Sequence, residues 1–278
     1  MRTEILNFFA KYIEKELGII YSEDNFFQLQ NRLEEIAKLK GVSSIEDLFI
    51  QAQKEISGAF KQLLLDTATN NETSFFRDNK VYRAIENIIV PEFYDKLRGQ
   101  SFQIWSAASS TGQEGISLAI LMTEWAAKNK KPLSFQIIGS DISERVLEKA
   151  RSGVYSQLEI QRGMPSPLLI KYFMREKDDF WRTSPDILKN IDYRKQNLKL
   201  PYPYRNKFHL VLCRNVLIYQ SLDSKIEILQ RIAETLVPGG YFILGSGENL
   251  YGLSKDFDQT HCDGAVIFKK KSAIDVAG

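Results

Sequence analysis

Histidine and cysteine are nearly missing from this chain, with two of each among 278 residues. A four-ligand zinc site would need all four or carboxylates in their place, and neither His209 with Cys213 nor His261 with Cys262 has zinc-finger spacing. No metal site is expected, and a disulfide framework is excluded. So little histidine also weakens any mechanism built on a histidine acid or base. An excess of one charge is missing too. Lys and Arg number 37 against 35 Asp and Glu, net +2, which gives no electrostatic case for nucleic acid as a partner. Nowhere do eighteen apolar residues run together, so no membrane insertion is expected. The first twenty residues carry Glu4, Glu14 and Glu16 and do not read as a signal peptide. A cytoplasmic location is the default expectation. What is present is ordinary for a globular protein: 44% hydrophobic and 26% charged residues, in a chain long enough to bury its own core without staples.

Proline is absent before Pro91, and residues 1–90 hold only Gly18, Gly41 and Gly58. Scarce breakers predict a helical front segment. Leu6, Phe9, Ile13 and Leu17 share one helical face, and Phe26, Leu29, Leu33, Ile36 and Leu39 form a second pattern. Ser43 and Glu46 have capping-box spacing for a third helix, and a fourth runs from about residue 55 to 65. After residue 100, β-rich runs at 103–108, 135–141, 209–216 and 241–245 alternate with helical patterns at 111–128, 143–151 and 222–236. Pro238-Gly239-Gly240 is read as closing the last helix. This alternation predicts an α/β fold with a mostly parallel, doubly wound sheet. Asp263-Gly264 between two β-rich runs predicts a hairpin and an antiparallel last strand. Five prolines between 165 and 203 mark a loop-rich insertion with one helix near 168–174. The expected division is a helical domain at 1–70, a linker helix at 71–100, and a catalytic domain at 101–278 with a small β-subdomain inserted at about 165–200.

The most informative local stretch is Gln103-Ile-Trp-Ser-Ala-Ala-Ser-Ser-Thr-Gly-Gln-Glu-Gly115, a strand, a turn of small residues and a helix start. Small residues let backbone approach a ligand, and a helix start offers unpaired N–H groups. The dinucleotide fingerprint G-x-G-x-x-G is absent. Glu114 has two readings. It is the N3 member of a Thr111 capping box, or it faces a ligand that is cationic or neutral there, since it would repel phosphate. Asp141 at the end of the second β run either accepts ribose hydroxyls or simply favours the following helix start. Together the two carboxylates suit S-adenosylmethionine, which carries a ribose and a positive charge. In Thr69-Asn-Asn-Glu-Thr-Ser-Phe-Phe-Arg77, a helix start at Asn71 or Thr73 accounts for the polar residues and core packing for Phe75 and Phe76, but neither accounts for Arg77. Cys213 reads as a small buried residue, not a nucleophile.

Five motifs in order now resemble one family: Asn71-Glu-Thr-Ser-Phe-Phe-Arg77, Trp105-Ser-Ala-Ala-Ser-Ser-Thr-Gly-Gln-Glu114, Gly139-Ser-Asp141-Ile, Leu212-Cys-Arg-Asn-Val-Leu-Ile-Tyr219 and Gly245-Ser-Gly-Glu-Asn249. The chain is similar over its whole length to the CheR-type chemotaxis receptor methyltransferases. The resemblance implies a class I S-adenosylmethionine-dependent methyltransferase sheet, Rossmann-like, behind a small all-helical domain. It implies methylation of glutamate carboxylates on the cytoplasmic helices of bacterial chemoreceptors, yielding glutamyl methyl esters and S-adenosylhomocysteine. By position, Asn71, Thr73, Arg77, Glu114, Asp141, Asn197, Leu198, Arg214 and Asn215 would form the cofactor site, with Asp141 at the ribose and Asn197-Leu198, ending the third strand, by the adenine. Arg77 and Tyr219 would line the methyl-transfer site. Such chemistry needs no general base, because a sulfonium leaves readily and glutamate is ionised at neutral pH. Aligning the reacting atoms can supply about 7–11 kcal/mol. A methyltransferase acting on another protein or a small molecule, and a non-catalytic cofactor-sensing module, are the alternatives.

Two departures bear on partners. Some family members hold a receptor C-terminal pentapeptide with a Gly-containing turn after a Tyr-Phe-x-x helix end. Tyr172-Phe-Met-Arg-Glu-Lys-Asp-Asp-Phe-Trp181 lacks that Gly and is about three residues shorter, which predicts no pentapeptide tether. The family's basic helical face is also reduced here. Residues 1–70 hold eight basic and eleven acidic residues, net −3, and only Arg32, Lys38 and Lys40 cluster.

Overall fold

A computed structural model describes residues 2–272; the end of the segment expected as the catalytic domain, 273–278, lies outside the described residues. The chain forms two compact units. One comprises Met1–Asn70 with Tyr219–Lys225, the other Asn71–Ile218 with Ile226–Gly278.

The first unit holds α1 (Arg2–Leu17), α2 (Phe26–Lys40), α3 (Ile45–Lys54) and α4 (Gly58–Ala68). Leu6, Phe9, Ile13 and Leu17 are all buried, as their 3.6-residue spacing predicts. On α2 the buried stripe runs through Leu29, Leu33, Ile36 and Ala37 and passes Leu39, which is exposed. The cap of α3 sits one residue later than expected: Ser44, not Ser43, accepts the N–H of Asp47 at 3.1 Å. Tyr21 donates to the Ala68 carbonyl, and Arg32 donates to both of these oxygens.

The second unit opens with α5 (Asn79–Ala84), a π-helical turn over Ile85–Ile89, and α6 (Val90–Leu97). There follow β1 (Phe102–Ala107), α7 (Gln113–Asn129), β2 (Phe135–Asp141), α8 (Glu144–Ser152), β3 (Val154–Ser156), α9 (Gln157–Gln161), α10 (Ser166–Tyr172), β4 (Phe173–Arg175), β5 (Phe180–Thr183), α11 (Pro185–Leu188), β6 (Ile191–Lys195) and β7 (Phe208–Cys213). The chain ends in α12 (Leu222–Thr235), β8 (Leu236–Leu244), β9 (Phe257–Cys262) and β10 (Ala265–Lys270). The main sheet has the order β6-β2-β1-β7-β8-β10-β9. All its pairings are parallel except those of β10, which runs antiparallel to β8 and β9. This is the doubly wound sheet with an antiparallel last strand that the alternation predicts. The β9–β10 hairpin turns at Asp263 (φ 48°) and Gly264 (φ 78°), as Asp-Gly requires. Central strands are apolar on both faces: Phe102, Ile104, Leu210, Leu212 and Ile243 pack on one side, and Trp105, Val211, Phe208, Phe242 and Leu244 on the other. Fully burying each such side chain contributes roughly 1.5–3 kcal/mol. Among the described residues no helix is long and apolar enough to cross a membrane.

Three readings are corrected. Pro238-Gly239-Gly240 does not close α12; it lies inside β8, where the ladder jumps from Phe208↔Leu236 to Leu210↔Tyr241 and the extra residues bulge out. The inserted small sheet, order β3-β5-β4, begins at Val154 rather than near 165. Residues 191–195, assigned to the insertion, are edge strand β6 of the main sheet. Its charged Asp192, Arg194 and Lys195 suit an edge and hide the apolar signature of a core strand. Within the small sheet, the turn between β4 and β5 places Asp178 (φ 57°) and Asp179 (φ 59°) in the left-handed conformation that glycine would otherwise supply.

Candidate active site

β1 leads through α7 to β2 on one side, while β7 flanks β1 on the other. The carboxyl ends of these strands therefore mark a switch point, where open α/β sheets hold ligands. The turn after β1 is strained there. Ala108 (φ 54°) and Ser110 (φ 50°) adopt left-handed geometry without being glycine, at about 1–3 kcal/mol each. Hydrogen bonds hold the turn. Ser109 N donates to the Ser140 carbonyl at 2.8 Å, Ser110 N to Asp141 Oδ2 at 3.0 Å, and Ser110 Oγ to the Asn71 carbonyl at 2.7 Å. Asp141 is 6% exposed, and its Oδ1 accepts the N–H of Ser143 at 3.0 Å. A carboxylate has about four acceptor positions, and these backbone N–H groups use one on each oxygen. Nearby, Ser109 Oγ and Ser143 Oγ are buried without a hydrogen-bond partner.

The turn's small residues serve packing as well as ligand approach. A Cβ on Gly112 would lie 2.7 Å from the Tyr193 hydroxyl and 2.8 Å from Ala150 Cβ, and one on Gly139 would lie 2.5 Å from the Tyr193 ring. Tyr193 donates in turn to the Gly112 carbonyl.

Glu114 does not form the capping box its spacing allows. The N-cap of α7 is Gly112, and Thr111 Oγ1 turns to Gln113. Glu114 instead accepts from Ser106 Oγ at 2.7 Å and from Arg214 at 3.1 Å. Arg214 is 8% exposed, donates to the Arg77 carbonyl at 2.6 Å and lies 3.9 Å from Asp78. Burial alone would lower its pKa, but Glu114, the Tyr82 hydroxyl and Asp78 together hold it above the ordinary guanidinium value. Burial first, then Glu114, pushes the wholly buried Tyr82 phenol up. Removing either member of a buried pair such as Glu114–Arg214 typically costs about 3–5 kcal/mol.

Residues 71–77 form no helix start; the next helix begins at Asn79. They make a strap pinned at several points. Phe76 (φ 46°) donates its N–H to Ser117 Oγ at 3.0 Å on α7. Phe75 is buried edge-on against Tyr155 and Phe173, and Gly163 passes so close that a Cβ would sit 2.1 Å from the Phe75 carbonyl. Arg77 donates to the Glu72 carbonyl at 3.2 Å, and Thr73 is half-buried between these anchors.

The turn after β6 joins the same centre. Gln196 N donates to the Asp141 carbonyl at 2.9 Å, Asn197 Oδ1 accepts from Lys199 N, and Leu198 packs on the Trp105 cluster. After β7, Asn215 (φ 59°) and its neighbours are gathered by one side chain that motif reading left without a role. Glu248 accepts N–H groups from Asn215 (2.7 Å), Gly245 (2.8 Å), Val216 (3.0 Å) and Ile218 (3.1 Å). Its signal in the sequence is Gly245-Ser-Gly-Glu-Asn249. Cys213 is fully buried, and burial followed by Glu248 and Glu114 pushes its thiol up, which opposes a nucleophilic role. Hydrogen bonds link Arg214 directly to Arg77 and Glu114, join Asn71 and Asn197 to Asp141 through Ser110 and Gln196, and tie Asn215 to Glu248. Tyr219 clusters with the helical unit instead.

The donor set fits S-adenosylmethionine: Asp141 and two unpaired buried hydroxyls suit a ribose, and the carboxylates around the turn suit a cation better than a phosphate. The sequence model described as "CheR methyltransferase, SAM binding domain" matches residues 71–266. The chain is 34% identical over 275 residues to the chemotaxis protein methyltransferase Cher2 of Pseudomonas putida KT2440, covering 98% of this chain and 100% of that protein. It is 34% identical to chemotaxis protein methyltransferase 1 of Pseudomonas aeruginosa PAO1, over 95% of this chain and 96% of that one. Against chemotaxis protein methyltransferase 1 of Vibrio cholerae it is 32% identical over 95% of each. With the family model over most of its length and relatives aligned nearly end to end, the chain belongs to the CheR family of S-adenosylmethionine-dependent methyltransferases.

Proposed function

We propose that this methyltransferase acts in the cytoplasm on glutamate side chains of bacterial chemoreceptor helices, forming glutamyl methyl esters for chemotactic adaptation. The observation that carries the reading is the pair of hydrogen-bonded carboxylates, buried Asp141 and half-buried Glu114, flanking one strained turn at the switch point, in a chain aligned end to end with chemotaxis methyltransferases. S-adenosylmethionine supplies a methyl group already activated on a sulfonium. Asp141 accepts the ribose hydroxyls, while Asn197 and Leu198 border the adenine. Glu114, held by Ser106 and Arg214, lies toward the cationic end, and Asn71, Thr73 and Asn215 complete the wall. Arg214 ties the strap to α7, so it acts on Arg77 through that residue's carbonyl. Arg77 and Tyr219 orient the incoming carboxylate. One carboxylate oxygen forms the new O–CH3 bond as the S–CH3 bond breaks, and the electron pair stays on sulfur. No proton moves, so no base is needed, in keeping with a site without histidine. Receptor engagement proceeds without a C-terminal pentapeptide tether.

The test is methyl transfer from labelled cofactor to purified receptor cytoplasmic fragments. Base treatment should release labelled methanol from a carboxyl ester. A base-stable N-methyl product, or no transfer, would overturn the reading.

A further inference from the structure

We propose that Asn70 and the backbone of residues 18–20 position the Tyr219 side chain and orient its hydroxyl. This rests on the role given to Tyr219 above. Residues 219–225 are flanked in sequence by the sheet unit, yet they cluster with the helical one. Within that unit, Ile20 N donates to the Tyr219 carbonyl and Ser221 N to the Gly18 carbonyl, each at 2.9 Å, around an antiparallel bridge between Ile19 and Gln220. Two backbone bonds so close together fix the path of the chain through Tyr219. Gly18 is needed for this. Its φ is +75°, and a Cβ there would lie 2.3 Å from Gln220 Oε1 and 2.5 Å from Ser224 Oγ, on side chains that are themselves buried.

The second hold is on the side chain. Asn70 Nδ2 donates to the Tyr219 hydroxyl oxygen at 2.9 Å. A phenol whose oxygen accepts there keeps its own O–H for another acceptor, and the substrate carboxylate is one. An aspartate at position 70 would instead draw that hydrogen to itself. Tyr219 is 37% exposed, open enough to meet a substrate and in need of an outside hold.

A double-mutant cycle on the full chain tests this. Asn70→Ala, Asn70→Asp, Gly18→Ala and Tyr219→Phe are compared for kcat and KM on a receptor fragment, affinity for S-adenosylhomocysteine, and melting temperature. Both Asn70 variants should lower kcat about three- to tenfold, the weight of one hydrogen bond, without moving cofactor affinity or melting. In the Tyr219→Phe background the Asn70 changes should add less than about twofold, because no hydroxyl remains to orient. Gly18→Ala should show the same non-additivity even where it lowers melting. Full additivity, or unchanged kcat in both Asn70 variants, refutes the positioning role while leaving the role of Tyr219 intact. Wild-type kcat in Tyr219→Phe alone shows that the catalytic reading of Tyr219 has failed, and this proposal with it.

Discussion

Asp141 has two kinds of partner to satisfy. Its oxygens hold the N–H groups of Ser110 and Ser143, and the proposed ribose hydroxyls must bind the same carboxylate. Hydrogen bonds to a charged group contribute about 1.5–3 kcal/mol each. Asp141→Ala removes the proposed ribose acceptor and loosens the strained turn at once, so calorimetric affinity for S-adenosylhomocysteine should fall by about ten- to a hundredfold. Unchanged affinity would take Asp141 out of the ribose site. This residue was legible because it ends an apolar run and precedes a helix start within a few positions. Glu114 was only half legible. Its local spacing matched a capping box, but its partners are Ser106 on β1 and Arg214, which is a hundred positions away. Spacing cannot report that Gly112, at φ 94°, takes the cap position. Tyr82 and Glu248 escaped for the same reason, since each acts through groups that only the fold brings near.

One carboxylate of α6 hydrogen-bonds to both β8 and β10. Glu92 accepts from Tyr241 on β8 and from Lys269 on β10, as well as from Lys96 one turn along its own helix. Burial alone would raise its pKa, but the hydrogen bonds from Lys269, Lys96 and Tyr241 outweigh it and hold the carboxyl at about 2. A folded pKa below the unfolded value adds stability above about pH 4.5, and that stability is lost as the pH falls toward 2. The side chain is 23% exposed, so solvent screening trims the contribution to about 1–2 kcal/mol. In thermal unfolding at pH 6 and pH 3, Glu92→Gln should therefore narrow the gap between the two melting temperatures by a few degrees. An unaltered gap would mean that the tether carries no net stability. Elements with clear patterns, such as α7 and β2, could be read from sequence to within two residues or so. The small sheet could not, because three- and four-residue strands are too short to show a period. Edge strand β6 was hidden by its charges.

At the scale of the whole molecule, the net charge of +2 conceals an acidic segment, residues 1–70 at −3, ahead of a basic remainder at +5. Several cations of that segment are paired or packed within it. Arg32 is bound to Tyr21 and the Ala68 carbonyl, Lys61 pairs with Glu16 at 2.6 Å, Arg2 lies 3.5 Å from Glu34, and Lys40 covers the Phe60 ring. The Arg32–Lys38–Lys40 cluster legible in the sequence is therefore not an open basic face, since two of its members are engaged within the unit. Long-range steering of an acidic receptor helix needs uncompensated charge and fades once the Debye length drops below about 10 Å. With little such charge available, kcat/KM on a receptor fragment should change by less than about threefold between 50 and 300 mM salt. Deleting the receptor's C-terminal pentapeptide should leave the rate unchanged, because the β4–β5 hairpin is short and the proposed docking has no tether. The two measurements separate the possibilities. A tenfold fall with salt would mean that steering survives the internal pairing. Micromolar binding of the isolated pentapeptide, or a rate lost on its deletion, would mean that the Asp178–Asp179 turn does what the glycine turn does in other family members.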